Sequence, residues 1–237
     1  MPAVATLRRV GHKGADLIVP GNTPGSFDAA LAAGVDMIEF DVLPEDRRAP
    51  ATSRLVLAHD YDHDLGSAPS LEDGLAHLAS GAFAAVELDV DIKFGGYEER
   101  VVAALHAAGL VERTLVSSTY REVLARVRAL EPRLRLGWSV PKAQRDYTVS
   151  PLWKGPALLA LLVMRALLPR QAAQAIRRGE IDALMAYWRL ATPRLARAVR
   201  DAGGELYVWT VDDAARIRRF ERMGVTGVIT NDPRLFS

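Results

Sequence analysis

The chain has 237 residues, of which 49% are hydrophobic and 25% are charged, which is ample for one large domain or two small ones. Its 30 Lys and Arg residues nearly balance its 29 Asp and Glu residues, and no basic patch with interleaved aromatic residues occurs, so nucleic-acid binding is not expected. The absence of cysteine excludes disulfides and thiolate metal sites. Together with an N-terminus that lacks the apolar stretch of a secretory signal, it predicts a cytoplasmic protein.

Short β-like runs alternate with helical patterns along most of the chain. The segments expected to form parallel strands lie near 8–12, 37–42, 86–92, 115–118, 134–139, 182–187, 206–211 and 227–230. Strands that alternate with helices of this size are typical of parallel βαβ units. Eight such units predict a single-domain (β/α)8 TIM barrel over residues 1–237. An open doubly wound sheet would usually carry G-x-G-x-x-G after its first strand, and this motif is missing.

One pair of segments breaks the alternation. IEFDV, residues 38–42, and LVLAHD, residues 55–60, are joined by a loop too short to contain a crossover helix. They therefore predict an antiparallel hairpin arm after the second strand. This arm would return His59 to the C-terminal ends of the strands, which we call the mouth of the barrel.

The most apolar segment is ALLALLVMRALL, residues 157–168. It is too short to span a bilayer and contains Arg165. We expect a buried or groove-lining helix here. A peripheral membrane contact through 157–168 is the alternative.

Polar residues concentrate where the first three barrel strands end, which is where barrel enzymes carry out their chemistry. They are His12 and Lys13, then Glu39 and Asp41, then Glu87, Asp89, Asp91 and Lys93. Spacing of two places the acids of each strand on one face, so inward-pointing faces would crowd several carboxylates together. A hard divalent cation bound through oxygen, Mg²⁺ or Ca²⁺, is the simplest way to neutralise them. The alternative is that these faces turn outward or that Lys and Arg pair with the acids.

Two of the five histidines are candidates for acid–base catalysis. His12 and His59 are expected at the same mouth as the acids, and imidazole titrates near neutral pH, so one can accept a proton while the other donates one. A phosphodiester substrate suits such a site, because a metal and a lysine stabilise its negative charge. His63, His77 and His106 fit ordinary hydrogen-bonding roles.

Several motifs, in order along the chain, resemble the glycerophosphodiester phosphodiesterase family. GHKG, GNTPGSFDAALAAGVDMIEFDV, LVLAHD and APSLEDGLAHL resemble its opening. TLVSSTYREVLARVRALEPRLRLG and GGELYVWTVDDAARIRRFERMGVTGVITNDP resemble its middle and end. The resemblance implies a TIM barrel that hydrolyses glycerophosphodiesters to glycerol 3-phosphate and an alcohol, with a bound divalent cation.

The resemblance also implies a role for individual residues. The implied site has His12 and His59 as the acid–base pair, Glu39, Asp41 and Asp91 as metal ligands, and Lys13, Lys93 and Trp209 as substrate contacts. Asp91 is chosen as the third ligand, ahead of Glu87 or Asp89, because the family's third carboxylate lies two residues before a lysine. Trp209 would form an apolar wall beside the glycerol moiety, and a core tryptophan is the alternative.

The sequence departs from the family pattern at four points. Lys13 stands where the family usually has Arg, Gly21 where it has Glu, and Asp91 where it typically has Glu. Lysine keeps the positive charge but loses the bidentate fork of arginine. The family often inserts a small cap where this chain has only YDHDLGSAPSLED, so we expect a more open mouth.

Other functions stay open at this point. If the apolar segment lined a groove for an acyl chain, a lysophospholipase D-type activity on lysophospholipids would follow. Another metal-assisted barrel chemistry, such as a lyase or an enolising enzyme, would not need paired histidines. A degenerate barrel that binds phosphodiesters without turnover is the non-enzyme alternative, and the retention of both histidines and both E-x-D acids argues against it.

Overall fold

The structure is a computed structural model that describes residues 6–62, 64–142 and 154–236. Strands and helices alternate along this part of the chain. The strands are β1 (Arg8–Gly11), β2 (Met37–Pro44), β3 (Leu55–Leu57), β4 (Glu87–Ile92), β5 (Thr114–Ser118), β6 (Arg135–Val140), β7 (Ala183–Tyr187), β8 (Glu205–Trp209) and β9 (Gly227–Thr230). The α-helices are α1 (Pro24–Ala32), α2 (Leu71–Leu78), α3 (Glu98–Ala107), α4 (Arg121–Leu130), α5 (Lys154–Arg177), α6 (Pro193–Asp201) and α7 (Ala214–Met223). His63 lies outside the described residues, so its predicted role is not tested.

Eight parallel strands close into a barrel. The strands follow one another as β1, β2, β4, β5, β6, β7, β8 and β9, and β9 pairs with β1 to complete the ring. The remaining strand, β3, pairs antiparallel with the end of β2, where Leu57 lies opposite Val42. The prediction of a (β/α)8 barrel with a hairpin arm is therefore confirmed.

Alternation along the strands directs the acids into the barrel. The residues of β2 and β4 that belong to the outer core, between the strands and the helices, are Ile38, Phe40, Val42, Leu88, Val90 and Ile92. Because successive side chains of a strand point to opposite faces, the residues between them point inward. Glu39 and Asp41 on β2 and Asp89 on β4 are accordingly buried inside the barrel.

A layer of four charged side chains closes the end opposite the mouth. It consists of the first residues of alternate strands, Arg8, Glu87, Arg135 and Glu205. Arg8 Nη1 lies 2.8 Å from Glu87 Oε2, and Arg135 forms ion pairs with both glutamates. Two cations and two anions leave the layer neutral. Arg8 and Arg135 hold Glu87 at this end, away from the mouth. This excludes Glu87 as a third metal ligand.

Helix α5 is much longer than the other helices of the barrel. Its 24 residues extend about 36 Å, whereas the other α-helices have eight to ten residues. Its C-terminal half packs into the core through Leu168 and Ala172, but Leu159 and Leu162 are 64% and 60% exposed. Leu161 and Met164 pack partly against the core, but the other residues of 158–167 are exposed. The expectation of a buried helix is therefore wrong for most of this stretch, because the helix is longer than the barrel wall that it covers. Among the described helices, none is long and apolar enough to cross a bilayer.

Candidate active site

Three carboxylates converge inside the mouth. Glu39 and Asp41 on β2 and Asp91 on β4 each offer an oxygen, and these oxygens lie within 4.8 Å of one another. The register places Asp41 beside Asp91, since β2 and β4 are parallel neighbours. The three residues selected as metal ligands therefore lie in one group, and their faces do not turn outward.

Asn22 holds Asp41 in place through two hydrogen bonds. Its Nδ2 donates to Asp41 Oδ2 at 2.9 Å, and its Oδ1 accepts from the Asp41 backbone N–H at 3.0 Å. Asn22 has a left-handed backbone, with φ of 57°, and directly precedes Thr23, the N-cap of α1. Asparagine tolerates this conformation better than most residues. Asn22 was not among the predicted site residues, although its place before an N-cap threonine was a usable signal.

Lys93 lies between two of the acids. Its Nζ is 2.6 Å from Asp91 Oδ2 and also contacts Asp41 Oδ1. Burial would raise the pKa of the Asp41 carboxyl, but Lys93 and His59 outweigh it and hold that pKa well below its usual range. Burial would likewise lower the pKa of the Lys93 ammonium, and the two carboxylates raise it instead. Pairing by lysine, one of the alternatives for these acids, is thus present for Asp41 and Asp91.

Glu39 and Asp89 lack a cationic side chain this close. Glu39 Oε2 accepts a hydrogen bond from the Lys13 backbone N–H at 2.8 Å. Burial, together with the charges of Asp41 and Asp89, raises the pKa of Glu39 well above its usual range. Deeper in the barrel, burial raises the pKa of Asp89 to about 8, although a hydrogen bond to Ser117 opposes the shift. Asp89 is not part of the three-carboxylate group.

The donor set fits a hard divalent cation. Lys93 supplies one positive charge for three carboxylates, and burial, followed by the charges of Asp41 and Asp89, raises the pKa of Glu39. Oδ1 of Asp91 is buried and has no hydrogen-bond partner within the described residues. Carboxylate oxygens without nitrogen or sulfur ligands are the set that Mg²⁺ and Ca²⁺ prefer.

His12 is oriented by a hydrogen-bonded chain behind it. Its Nδ1 lies 2.5 Å from Asn231 Oδ1, and Asn231 Nδ2 donates to Asp212 Oδ2 at 2.7 Å. Because a carboxylate only accepts, Asn231 must present its amide oxygen to His12, so Nδ1 carries the proton. Nε2 is then a free acceptor that faces the acids, 3.8 Å from Glu39 Oε2. Burial lowers the pKa of His12, although Asp41 and Asn231 oppose the shift.

His59 reaches the same group of acids from the hairpin arm. Its Nδ1 lies 3.2 Å from Asp41 Oδ2, and its side chain is 51% exposed. The two imidazoles therefore flank the acids, His12 beside Glu39 and His59 beside Asp41. Of the three histidines not chosen, the two in the described residues contact carboxylates away from the mouth, His77 at 2.8 Å from Asp28 Oδ1 and His106 at 2.7 Å from Glu131 Oε2.

Comparison with known proteins identifies the family. Residues 68–235, more than half of the chain, match the model of the glycerophosphoryl diester phosphodiesterase family. The chain belongs to this family. It is 25% identical to a glycerophosphodiester phosphodiesterase of Caldanaerobacter subterraneus, over 94% of this chain and 93% of that protein. A Bacillus subtilis glycerophosphodiester phosphodiesterase is also 25% identical, over 96% of this chain and 84% of its own.

Solved structures of similar proteins share the fold. A glycerophosphodiester phosphodiesterase of Agrobacterium tumefaciens has 21% identity and a TM-score of 0.71, covering 98% of this chain and 99% of its own. An Oleispira antarctica phosphodiesterase, solved in complex with the product sn-glycerol-3-phosphate, has 17% identity and a TM-score of 0.67, over 96% and 94% of the two chains. At these identities the likeness concerns the barrel fold.

This phosphodiesterase accommodates its unusual Gly21 through Asp16. Asp16 Oδ1 accepts from the Gly21 backbone N–H at 2.9 Å, and its Oδ2 lies 3.4 Å from Lys13 Nζ. A Cβ at position 21 would lie 2.5 Å from Asp16 Oδ1 and 2.7 Å from the Lys13 Cβ. Asp16 thus occupies the space beside Gly21 and places a carboxylate at the mouth. Lys13 points to Asp16, while its backbone holds Glu39.

Trp209 ends β8 at the rim of the mouth. Its Nε1 donates to the Met185 carbonyl at 2.9 Å, and its ring is tilted against Tyr187 with 5.6 Å between ring centres. The side chain is half-buried and packs partly against the apolar residues inside the barrel. The packing against the core is therefore observed, and the wall beside the glycerol moiety stays a prediction.

Proposed function

We propose that this glycerophosphodiester phosphodiesterase hydrolyses its substrates to glycerol 3-phosphate and an alcohol in a metal-dependent reaction with His12 and His59 as acid and base. The observation that carries the proposal is the grouping of three carboxylates between two imidazoles at the mouth of the barrel. Hydrolysis of a phosphodiester needs both kinds of group, because imidazoles transfer protons and a cation held by carboxylates offsets the negative charge at phosphorus.

Glu39, Asp41 and Asp91 would hold Mg²⁺ or Ca²⁺. When bound, such a cation supplies a Lewis acid that offsets the charge on the phosphoryl oxygens. Lys93 and Lys13 offer further positive charge to the phosphate. Trp209 and the open rim would receive the small glycerol moiety.

The two histidines would have different roles. The Nε2 atom of His12 accepts a proton from the attacking oxygen, because Asn231 keeps the ring's own proton on Nδ1. His59 donates a proton to the leaving alcohol, and its ring is held by the contact of Nδ1 with Asp41 Oδ2 at 3.2 Å. The more exposed position of His59 suits a leaving alcohol that departs into solvent.

The test is release of glycerol 3-phosphate from glycerophosphocholine with Mg²⁺, Ca²⁺ or EDTA. We expect turnover that EDTA abolishes and that falls at least about 100-fold in His12→Ala and in Glu39→Gln. His106→Ala is the matched control, since His106 pairs with Glu131 on the helical surface and should keep full activity. Turnover in EDTA would refute the metal requirement, and full activity of His12→Ala would refute its catalytic role. A folded, metal-binding protein without turnover would favour a degenerate binding barrel.

A lysophospholipase D-type activity is the second candidate. It is favoured by the exposed apolar side chains of α5 near the mouth, including Leu159 and Leu162. A peripheral membrane contact through residues 157–168 would bring lysophospholipids to the site. Lysophosphatidylcholine is the test substrate, with free choline measured in parallel, because cleavage on the head-group side releases choline and lysophosphatidic acid. A cytoplasmic location stays a prediction from the cysteine-free composition.

A further inference from the structure

The large apolar side chains that are exposed in the described residues lie in two segments. They are Leu17, Ile18, Leu158, Leu159, Leu162, Val163 and Leu167. The first two lie in the loop that follows β1, where the Leu17 backbone N–H donates to the Asn231 carbonyl at 3.0 Å. The other five lie in the N-terminal half of α5. Segments that follow the C-terminal ends of barrel strands lie on the side of the active site, so both segments are on the mouth side.

The five residues of α5 form one apolar ridge. Positions 158, 159, 162, 163 and 167 lie within one half of the helix circumference, opposite the half whose Leu161, Met164 and Leu168 pack against the core. Arg165 Nε donates to the Arg189 carbonyl at 2.7 Å, and Arg189 lies two residues beyond the end of β7. Arg165 is therefore level with the mouth, and the preceding residues of α5 extend past it by about 16 Å. Apolar surface of this kind on a polar protein marks a site of interaction.

Three arginines beside the ridge form a cationic cluster. The guanidinium carbons of Arg189 and Arg216 lie 4.6 Å and 4.1 Å from the centre of the Trp188 ring, and Arg165 joins them through its bond to Arg189. Within the described residues, none of the three forms an ion pair with Asp or Glu. Nε of Arg189 is buried and has no hydrogen-bond partner there. Residues 147–179 contain no Asp or Glu at all.

We propose that the ridge and its arginine cluster dock on an anionic phospholipid bilayer, with the mouth facing the lipid head groups. Apolar side chains flanked by arginines and an indole complement the boundary between acyl chains and anionic head groups. A second copy of the chain fits less well. In a two-fold dimer the same patch meets itself, so it would bring unpaired arginines together. The docking itself does not depend on turnover, and its consequence for access to lipid substrates rests on the proposed function.

The test is co-sedimentation of the full chain with vesicles of phosphatidylcholine alone or mixed with phosphatidylglycerol. We expect binding to the mixed vesicles only. Arg216→Gln should weaken it about fivefold, which corresponds to about 1 kcal/mol for one arginine at an anionic surface. Leu159→Glu should weaken it at least about tenfold, because an inserted leucine is replaced by a repelled charge. Matched controls at the far end of the barrel are Arg222→Gln on α7 and Ala107→Glu on α3, which should bind as the unchanged protein does.

Three results would overturn the docking proposal. They are equal binding to both vesicle types, no binding to either, and full binding of Leu159→Glu. A dimer that Leu159→Glu dissociates, with vesicle binding unaffected, would assign the ridge to a second copy instead. Hydrolysis of soluble glycerophosphocholine is measured on every variant and should be retained, since none of the four substituted residues lies in the active site. Lack of turnover in the unchanged protein would refute the proposed function while leaving vesicle binding to decide the docking surface.

Discussion

Replacing Lys93 with methionine should destabilise the metal-free protein strongly. Lys93 Nζ contacts both Asp41 and Asp91, and Asp41 is only 1% exposed. Methionine keeps most of the side-chain volume but removes the positive charge. The variant therefore leaves three carboxylates grouped at the mouth without the ammonium that now lies between two of them.

The magnitude follows from the burial of these groups. Removing one partner of a buried ion pair costs about 3–5 kcal/mol. Because the Lys93 side chain keeps 19% of its exposure, we expect the lower end of this range, about 3 kcal/mol. For a chain of this size that lowers the melting temperature by about 6–12 °C. A divalent cation at a hundred times its dissociation constant should restore about 2.7 kcal/mol, since all three carboxylate ligands remain.

Urea unfolding at neutral pH, in EDTA and then in Mg²⁺ or Ca²⁺, measures both effects. Lys142→Met is the control, because Lys142 lies over the Tyr120 ring at 3.8 Å and pairs with no carboxylate within the described residues. It should lose no more than about 1 kcal/mol. A loss in Lys93→Met as small as in this control would refute the charge argument. The argument would also be refuted if the same metal concentration stabilised the variant no more than the unchanged protein.

Three further predictions follow from the site. The pKa of Asp89 is raised to about 8, so the stability that its protonated form contributes is complete below about pH 4 and is lost as pH rises through 8. Asp89→Asn should therefore be more stable than the unchanged protein in EDTA over that interval and not at acidic pH, as measured by urea unfolding. Asp212→Asn should lower kcat at least about tenfold with little change in KM. It should also move the proton of the His12 ring towards the other nitrogen, which ¹⁵N NMR detects, and unaltered ¹⁵N shifts would contradict this. Gly21→Ala should cost about 1–3 kcal/mol by crowding Asp16 and Lys13. The cost should be smaller in an Asp16→Ala background, and an equal cost there would contradict a contribution from Asp16.

Most of the fold was predictable because its signals are local. Strand and helix patterns alternate visibly, and the loop between β2 and β3 is too short to contain a helix, so the hairpin arm followed from chain length alone. The pairs Glu39 with Asp41 and Asp89 with Asp91 were recognisable because period-two spacing is a property of any strand. The resemblance to a family added the choice of Asp91 as third ligand and of Lys13, Lys93 and Trp209 as substrate contacts, which spacing does not supply.

The order of Glu87, Asp89 and Asp91 from the far end to the mouth follows from their order along β4, but the groups that each acid meets were beyond the sequence pattern. Glu87 pairs with Arg8 at the far end, Asp89 is buried in the middle, and Asp91 joins Glu39 and Asp41 at the mouth. Only the stagger of neighbouring strands brings these partners from other strands to the same level. The exposure of the α5 ridge was missed for a related reason, since an apolar run does not reveal how far a helix extends beyond its support.

The sequence by itself determined the order of strands and helices, the inward-facing acids and the candidate histidines, because these depend on local periodicity and residue chemistry. The tertiary structure alone decided which distant groups act on them. Asn22 holds Asp41, Asp16 occupies the space beside Gly21, and Asp212 orients His12 through Asn231, which is 219 residues from His12 in the chain. Such contacts form only when the barrel closes and β9 pairs with β1, which brings the two ends of the chain to one site.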